Sequence, residues 1–238
     1  KGAKMYTSDI LSIFNVTNIR VERLVKSFES NISIIINRER RSKTYIYNIG
    51  LNNIERSLKK EMKEAKSELH EMLAESLIRV EEAIDSEYDM DYDRGFISTI
   101  YDSAIENINI QLLKITSIAV NMVRIEIVNI RREKRTLNSN LEDAFISIKK
   151  KTPFIELKTY FRDKSSRKWK TNKYFSMLIR SLIFTFAREM VLEIAIENDV
   201  DTLVIYPIGD KMKISEYESL KSNGTFHPNS QKLFKIRS

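Results

Sequence analysis

The 238-residue chain contains no cysteine. Disulfide frameworks, thiolate metal sites and catalytic thiols are thereby excluded together. Glycine and proline are scarce, at five and three residues. So few breakers favour long helices over a many-turned β fold. No two glycines lie close enough to build a phosphate-cradling loop, which removes Rossmann and P-loop sites. The two histidines, His70 and His227, are far apart in sequence, so nitrogen-ligated metals and His-based catalysis lack partners. Asp89, Asp91 and Asp93 alternate as in a calcium loop. However, Arg94 and Ile100 stand where that loop needs Gly and Glu. No catalytic site, metal or cofactor is expected.

What is present is a globular composition, 42% apolar and 31% charged. Two stretches are rich in apolar residues, 108–130 and 177–196. The first contains Lys114, Arg124 and Glu126, the second Arg180, Arg188, Glu189 and Glu193. Each such charge costs about 2.5–3.5 kcal/mol at a bilayer centre, so both read as buried helices and no membrane span is expected. The opening KGAKMYTSDI has no apolar leader pattern.

Periodicity predicts a helix over 8–38, capped by Ser8 or Asp9, with Ile10, Ile13, Phe14, Val21, Leu24, Val25 and Phe28 on its apolar side. A polar stretch with Gly50 follows. A second helix over 52–88 carries Ile54, Leu58, Met62, Ala65, Leu69, Leu73, Leu77, Val80 and Ile84, with Glu55 and Lys59 at a favourable offset. A third runs from about 96 to 150 with a break near Asn138–Asn140. It is apolar nearly all round between Ile105 and Ile130, and so is expected at the centre of a bundle. Thr152-Pro153 predicts a short helix with Phe154, Leu157 and Phe161 on one face. A long helix is expected over 171–198, then a strand at 203–206, a helical turn ending at Gly224, and a strand at 232–236. The fold class is therefore mainly α: a long helical hairpin or bundle arm over 1–151, then a small α+β module with a short sheet over 152–238.

Charge is uneven. Residues 149–173 hold ten bases (Lys149, Lys150, Lys151, Lys158, Arg162, Lys164, Arg167, Lys168, Lys170 and Lys173) against Glu156 and Asp163. Residues 61–93 hold twelve acids and three bases. A basic segment interleaved with Tyr160, Phe161 and Trp169 suits phosphate binding and base stacking. It reads equally as a patch for an acidic partner or as a solvated connecting loop. A smaller cluster, Arg131, Arg132, Lys134 and Arg135, reads as a solvated helix face. Glu189 and Glu193 share a helical face and read as ion-pair partners for Arg188 and its neighbours.

The last seventy residues carry an ordered set of motifs. Tyr174-Phe175-Ser176-Met177-Leu178-Ile179-Arg180-Ser181 opens a helix. Asn198-Asp199-Val200-Asp201-Thr202-Leu203-Val204 turns into a strand. Ser215 to Leu220 with Gly224 follows, and Phe226-His227-Pro228-Asn229-Ser230-Gln231 closes the set. This order resembles the minor capsid (minor head) proteins of tailed bacteriophages, the Mu F-like group, over about 170–236. The resemblance implies a structural virion protein at or inside the portal vertex, made in the bacterial host cytoplasm and oligomeric within the particle. Its partners would be portal protein, capsid protein and packaged DNA. Arg180, Asp201, Gly224, Phe226, His227, Pro228 and Asn229 would be the motif residues. Ser215 and Ser230 stand where the family often has Cys, so any metal or disulfide stapling of relatives is absent. The alternative is a helical nucleic-acid-binding or assembly adaptor protein unrelated to phage heads, resting on the basic segment alone.

Overall fold

A computed structural model describes residues 2–88, 95–162, 166–227 and 230–236. Side chains of 2–5 and 95–97 are not described. The acidic row Asp89 to Asp93, together with Lys164, Asp163, Pro228 and Asn229, lies outside the described residues. The elements are α1 (Gly2–Glu39), α2 (Asn48–Tyr88), α3 (Gly95–Leu137), α4 (Leu141–Lys151), β1 (Tyr160–Arg162), β2 (Lys168–Lys170), α5 (Thr171–Glu197), β3 (Thr202–Tyr206), β4 (Asp210–Lys213), α6 (Tyr217–Ser222) and β5 (Leu233–Ile236). The fold is mainly helical with a small antiparallel sheet near its C-terminal end. None of the described helices is long and apolar enough to cross a membrane.

The chain divides into two compact units. One is built from 1–22, 69–108 and 172–238, the other from 23–68 and 109–171. In the first, α5 is the hydrophobic centre. Phe175, Ile179, Ile183, Phe184, Phe186, Met190 and Val191 are all buried, as a helix apolar on most sides must be. The sheet order is β4-β3-β5, all antiparallel. Leu203 faces Met212 and Ile236, and Ile205 faces Phe234, so the alternation of β3 turns one apolar face inward. Tyr217, Phe226 and Phe234 close that face with ring centroids 5.3–5.7 Å apart. The Tyr88 hydroxyl accepts from the Ile236 amide at 3.4 Å. Strand β4 has no sequence-based counterpart, because only Met212 of its four residues is buried.

In the second unit, the stripes read from periodicity hold. Leu24, Val25, Phe28, Ile54, Leu58 and Ala65 are buried. Glu55 pairs with Arg124 at 3.1 Å across the α2 and α3 segments. The break before α4 is real. Asn138 takes φ 48°, and the Asn140 side chain caps α4 by accepting from the Asp143 amide at 2.8 Å. Gly50 lies in the first turn of α2, where an added Cβ would meet Thr44 O and Tyr45 Cα at 2.5 Å. Gly50→Ala is therefore expected to destabilise by about 1–3 kcal/mol through forced backbone movement. Chemical denaturation of the purified variant measures this.

Three expectations are corrected. The first helix begins at Gly2, so Ser8 and Asp9 lie inside it and cap nothing. Helix α3 is amphipathic, not apolar all round. Ile105, Ile108, Leu112, Ile115, Ala119, Val123, Ile127 and Ile130 are buried, while Ile110, Leu113, Ile125 and Val128 are exposed. A 3.6 period places the first set on one stripe and leaves the second on the outside. No helix starts at Pro153; residues 154–162 are extended or in strand. Thr152 instead ends α4, its amide donating to Ile148 O at 2.9 Å. From there burial alternates through Arg162: Ile155, Leu157, Thr159 and Phe161 in, Phe154, Glu156, Lys158, Tyr160 and Arg162 out. That is the period of a strand, and Phe154 is 55% exposed.

Candidate polyanion-binding ribbon

Residues 152–159 form a strap laid along α1. Glu29, Ser33 and Asn37 recur every four residues and so share one face of the helix, and Arg40, just past its end with its amide still donating to Ile36 O, continues the row. Glu29 accepts from the Thr159 amide at 3.2 Å and Ser33 Oγ from the Leu157 amide at 2.9 Å. Asn37 takes both groups of Ile155, accepting from its amide at 3.0 Å and donating to its carbonyl at 2.7 Å. Arg40 donates to Pro153 O at 3.4 Å and Thr152 O at 2.8 Å. The match is metric: four residues of helix rise about 6 Å and two of strand about 6.6 Å. A helix face thus replaces the neighbouring strand that the strap lacks.

Arg40 is the anchor of this ladder. Its guanidinium is 1% exposed and meets Glu126 at 2.6 Å. The Tyr45 hydroxyl donates to the same carboxylate. Burial, reinforced by Glu126, pushes the Tyr45 phenol far up, so it stays a neutral donor.

Beyond the strap the chain turns back as the β1–β2 ribbon. Tyr160 pairs with Lys170, Phe161 with Trp169 and Arg162 with Lys168. Phe161 is buried and Trp169 half-buried, while Tyr160, Arg162, Lys168 and Lys170 are exposed on the other face. Lys168 Nζ stands 4.0 Å from the Tyr160 ring centroid, and Arg167 lies 5.7 Å from that of Trp169. Arg162 donates to Ser166 O at 2.9 Å. None of these contacts neutralises a cation. Like charges directly opposite, as at Arg162 and Lys168, weaken a ribbon, and a two-stranded ribbon is marginal to begin with. Among the described residues no carboxylate offsets that repulsion.

The other bases of 149–173 have different surroundings. Lys149, Lys150 and Lys151 occupy the last turn of α4, where cations oppose the helix dipole. Lys149 donates to Arg40 O at 3.2 Å, and Lys151 meets Glu133 at 2.7 Å. Lys158 meets Glu156 at 2.7 Å. In the other unit Lys173 lies 3.5 Å from Glu22. Arg162, Lys168 and Lys170 are thus exposed bases with no carboxylate partner among the described residues, with Lys150 exposed apart from them.

The motif residues belong to the first unit. Arg180 lies 5.0 Å from the Phe14 ring centroid. Asp201 is exposed, and its carbonyl accepts from the Ile214 amide at 3.0 Å. Gly224 takes φ 77°, a left-handed turn natural to glycine. Phe226 joins the aromatic cluster with the Arg188 guanidinium 5.2 Å from its centroid. His227 is exposed and its carbonyl accepts from Ser230 at 2.7 Å. No group of acidic or histidine side chains that would hold a metal occurs among the described residues. Glu189 partners Tyr217 and Lys221, the latter at 2.9 Å. Arg188 donates instead to Lys232 O and Thr185 Oγ1, each at 3.0 Å. The buried groups Arg40, Glu126, Tyr45 and Tyr217 carry no sequence signal, because their partners are 28 or more positions away.

Three phenols of the first unit are held neutral. Burial drives Tyr6 and Tyr217 well up, with Tyr88 and Glu189 respectively adding to the shift. Burial pushes Tyr88 up to about 12. Because the folded pKa exceeds the unfolded value of about 10, the linked stability is complete below pH 10. It is lost as pH rises through about 12. An alkaline titration is expected to show part of the tyrosinate absorbance rising only together with loss of helical circular dichroism. Smooth ionisation of all tyrosines in a folded chain would refute this.

No family model, curated protein or solved structure matches the chain.

Proposed function

We propose that this chain is a structural protein of the tailed-phage head, a minor head protein at or inside the portal vertex. It contacts portal and capsid subunits and meets packaged DNA through the β1–β2 ribbon, without catalysis. The ordered motifs from Tyr174 to Gln231 support the family reading. The observation that carries the DNA contact is the opposed like-charge pair Arg162–Lys168, exposed beside Lys170 and Tyr160. Cations spaced along a ribbon with an aromatic ring among them suit phosphates at any sequence, because they bring no framework that reads base edges. Affinity purification from the cells that make the chain tests the assignment. Portal and capsid subunits are expected in the eluate. Nucleic acid with neither subunit would overturn it in favour of a helical nucleic-acid-binding adaptor, the reading that the ribbon supports by itself.

A further inference from the structure

The strap has two edges, and α1 uses one of them. In an extended chain the N–H and C=O of one residue point to the same edge, and successive residues alternate. From Pro153 to Thr159 the groups bound by Glu29, Ser33, Asn37 and Arg40 all belong to odd residues; Thr152 O, at the end of α4, is also taken by Arg40. The amides of Glu156 and Lys158 and the carbonyls of Phe154, Glu156 and Lys158 have no hydrogen-bond partner among the described residues. Backbone groups buried in folded proteins are nearly always paired, so these face solvent. Three even residues give an open strand edge about 13 Å long.

We propose that this edge is a docking site for an extended peptide segment of a partner protein, which adds as a strand beside Phe154–Lys158. Unmet donors and acceptors at strand spacing select an extended backbone over a helix or a nucleic acid. The side chains around the edge select its chemistry. Phe154 is 55% exposed and offers an apolar contact. Lys158, Arg162, Lys168 and Lys170 outnumber Glu156 on the outward face, so the segment carries apolar and acidic residues in alternation. The edge is short and bears charges, two features that keep a strand edge from pairing with its own kind. This inference does not depend on the phage reading.

The test is amide hydrogen exchange on the full chain, followed by NMR, with an octapeptide of alternating valine and glutamate as probe. In the free protein the Glu156 and Lys158 amides should exchange freely while Ile155 and Leu157 are protected. Saturating peptide should slow Glu156 and Lys158 at least tenfold. The same peptide with a central valine replaced by proline should not. Glu156→Pro removes one edge donor and should weaken peptide binding at least tenfold, with Glu156→Ala near wild type. Protection at Glu156 and Lys158 in the free chain would overturn the proposal. So would no slowing with peptide, or equal slowing by the proline-broken peptide, which would mean charge attraction alone. Should Glu156→Pro also release Ile155, the two peptides still decide.

Discussion

Glu126→Ala is expected to lower the unfolding free energy by about 3–5 kcal/mol, the usual cost when one member of a buried ion pair is removed. Arg40 would keep its charge at 1% exposure. It would retain the carbonyls of Thr152 and Pro153 but lack a counter-ion. The Tyr45 hydroxyl would be left without its acceptor as well. A double variant, Arg40→Met with Glu126→Leu, removes both charges and should recover much of the stability, since a buried pair replaced by apolar side chains is often neutral. The recovery should be incomplete in one place. Without Arg40 the carbonyls of Thr152 and Pro153 have no donor and the start of the strap is loosened, so the amides of Ile155 and Leu157 should exchange faster in an otherwise stable protein. Chemical denaturation and amide exchange measure the two effects separately. A single Glu126→Ala variant as stable as wild type would show that the pair contributes little.

Exchanging Arg162, Lys168 and Lys170 for glutamine is expected to flatten the salt dependence of duplex DNA binding. The slope of log K against log salt should fall by about 0.9 for each phosphate no longer neutralised. Helical circular dichroism should not change, because these side chains are exposed and Phe161 stays buried. The matched control is Lys149→Gln with Lys151→Gln. Those ammonium groups are engaged with Arg40 O and Glu133, so the slope should move little. Titration by fluorescence anisotropy at several salt concentrations reads both. An unchanged slope in the triple variant removes the ribbon as the DNA-binding element. Equal effects of the two sets would leave net charge, not ribbon geometry, as the cause.

How far the sequence could be read depended on the range of the interactions involved. The α1 and α2 stripes were legible because helix period and burial coincide over many turns, as at Ile54, Leu58, Leu69 and Leu73. The break at Asn138–Asn140 was legible because asparagine tolerates positive φ and caps helices. The strap was misread for a definite reason. Phe154, Leu157 and Phe161 fit helical spacing, and Thr-Pro is a good helix start. The competing alternation of Ile155, Leu157, Thr159 and Phe161 with charged or exposed neighbours was the stronger pattern over nine residues. Composition located the basic segment but not its division between helix end, strap and ribbon. Which cations are free depends on Glu133 and Arg40 O, more than ten and a hundred positions away. The Arg40–Glu126 pair, 86 positions apart, was invisible for the same reason.

The ladder on α1 also sets an order of events. Glu29, Ser33, Asn37 and Arg40 align only once that stretch is helical, and the strap they hold lies 112–130 residues further on. Closing so long a loop costs on the order of 4 kcal/mol in chain entropy. Several bonds made together offset that cost better than any one made early. During synthesis the receiving helix leaves the ribosome long before its strap. The strap is therefore expected to be fastened onto a helix already formed. Pulse-labelled exchange during refolding should find α1 protected before Leu157 and Thr159.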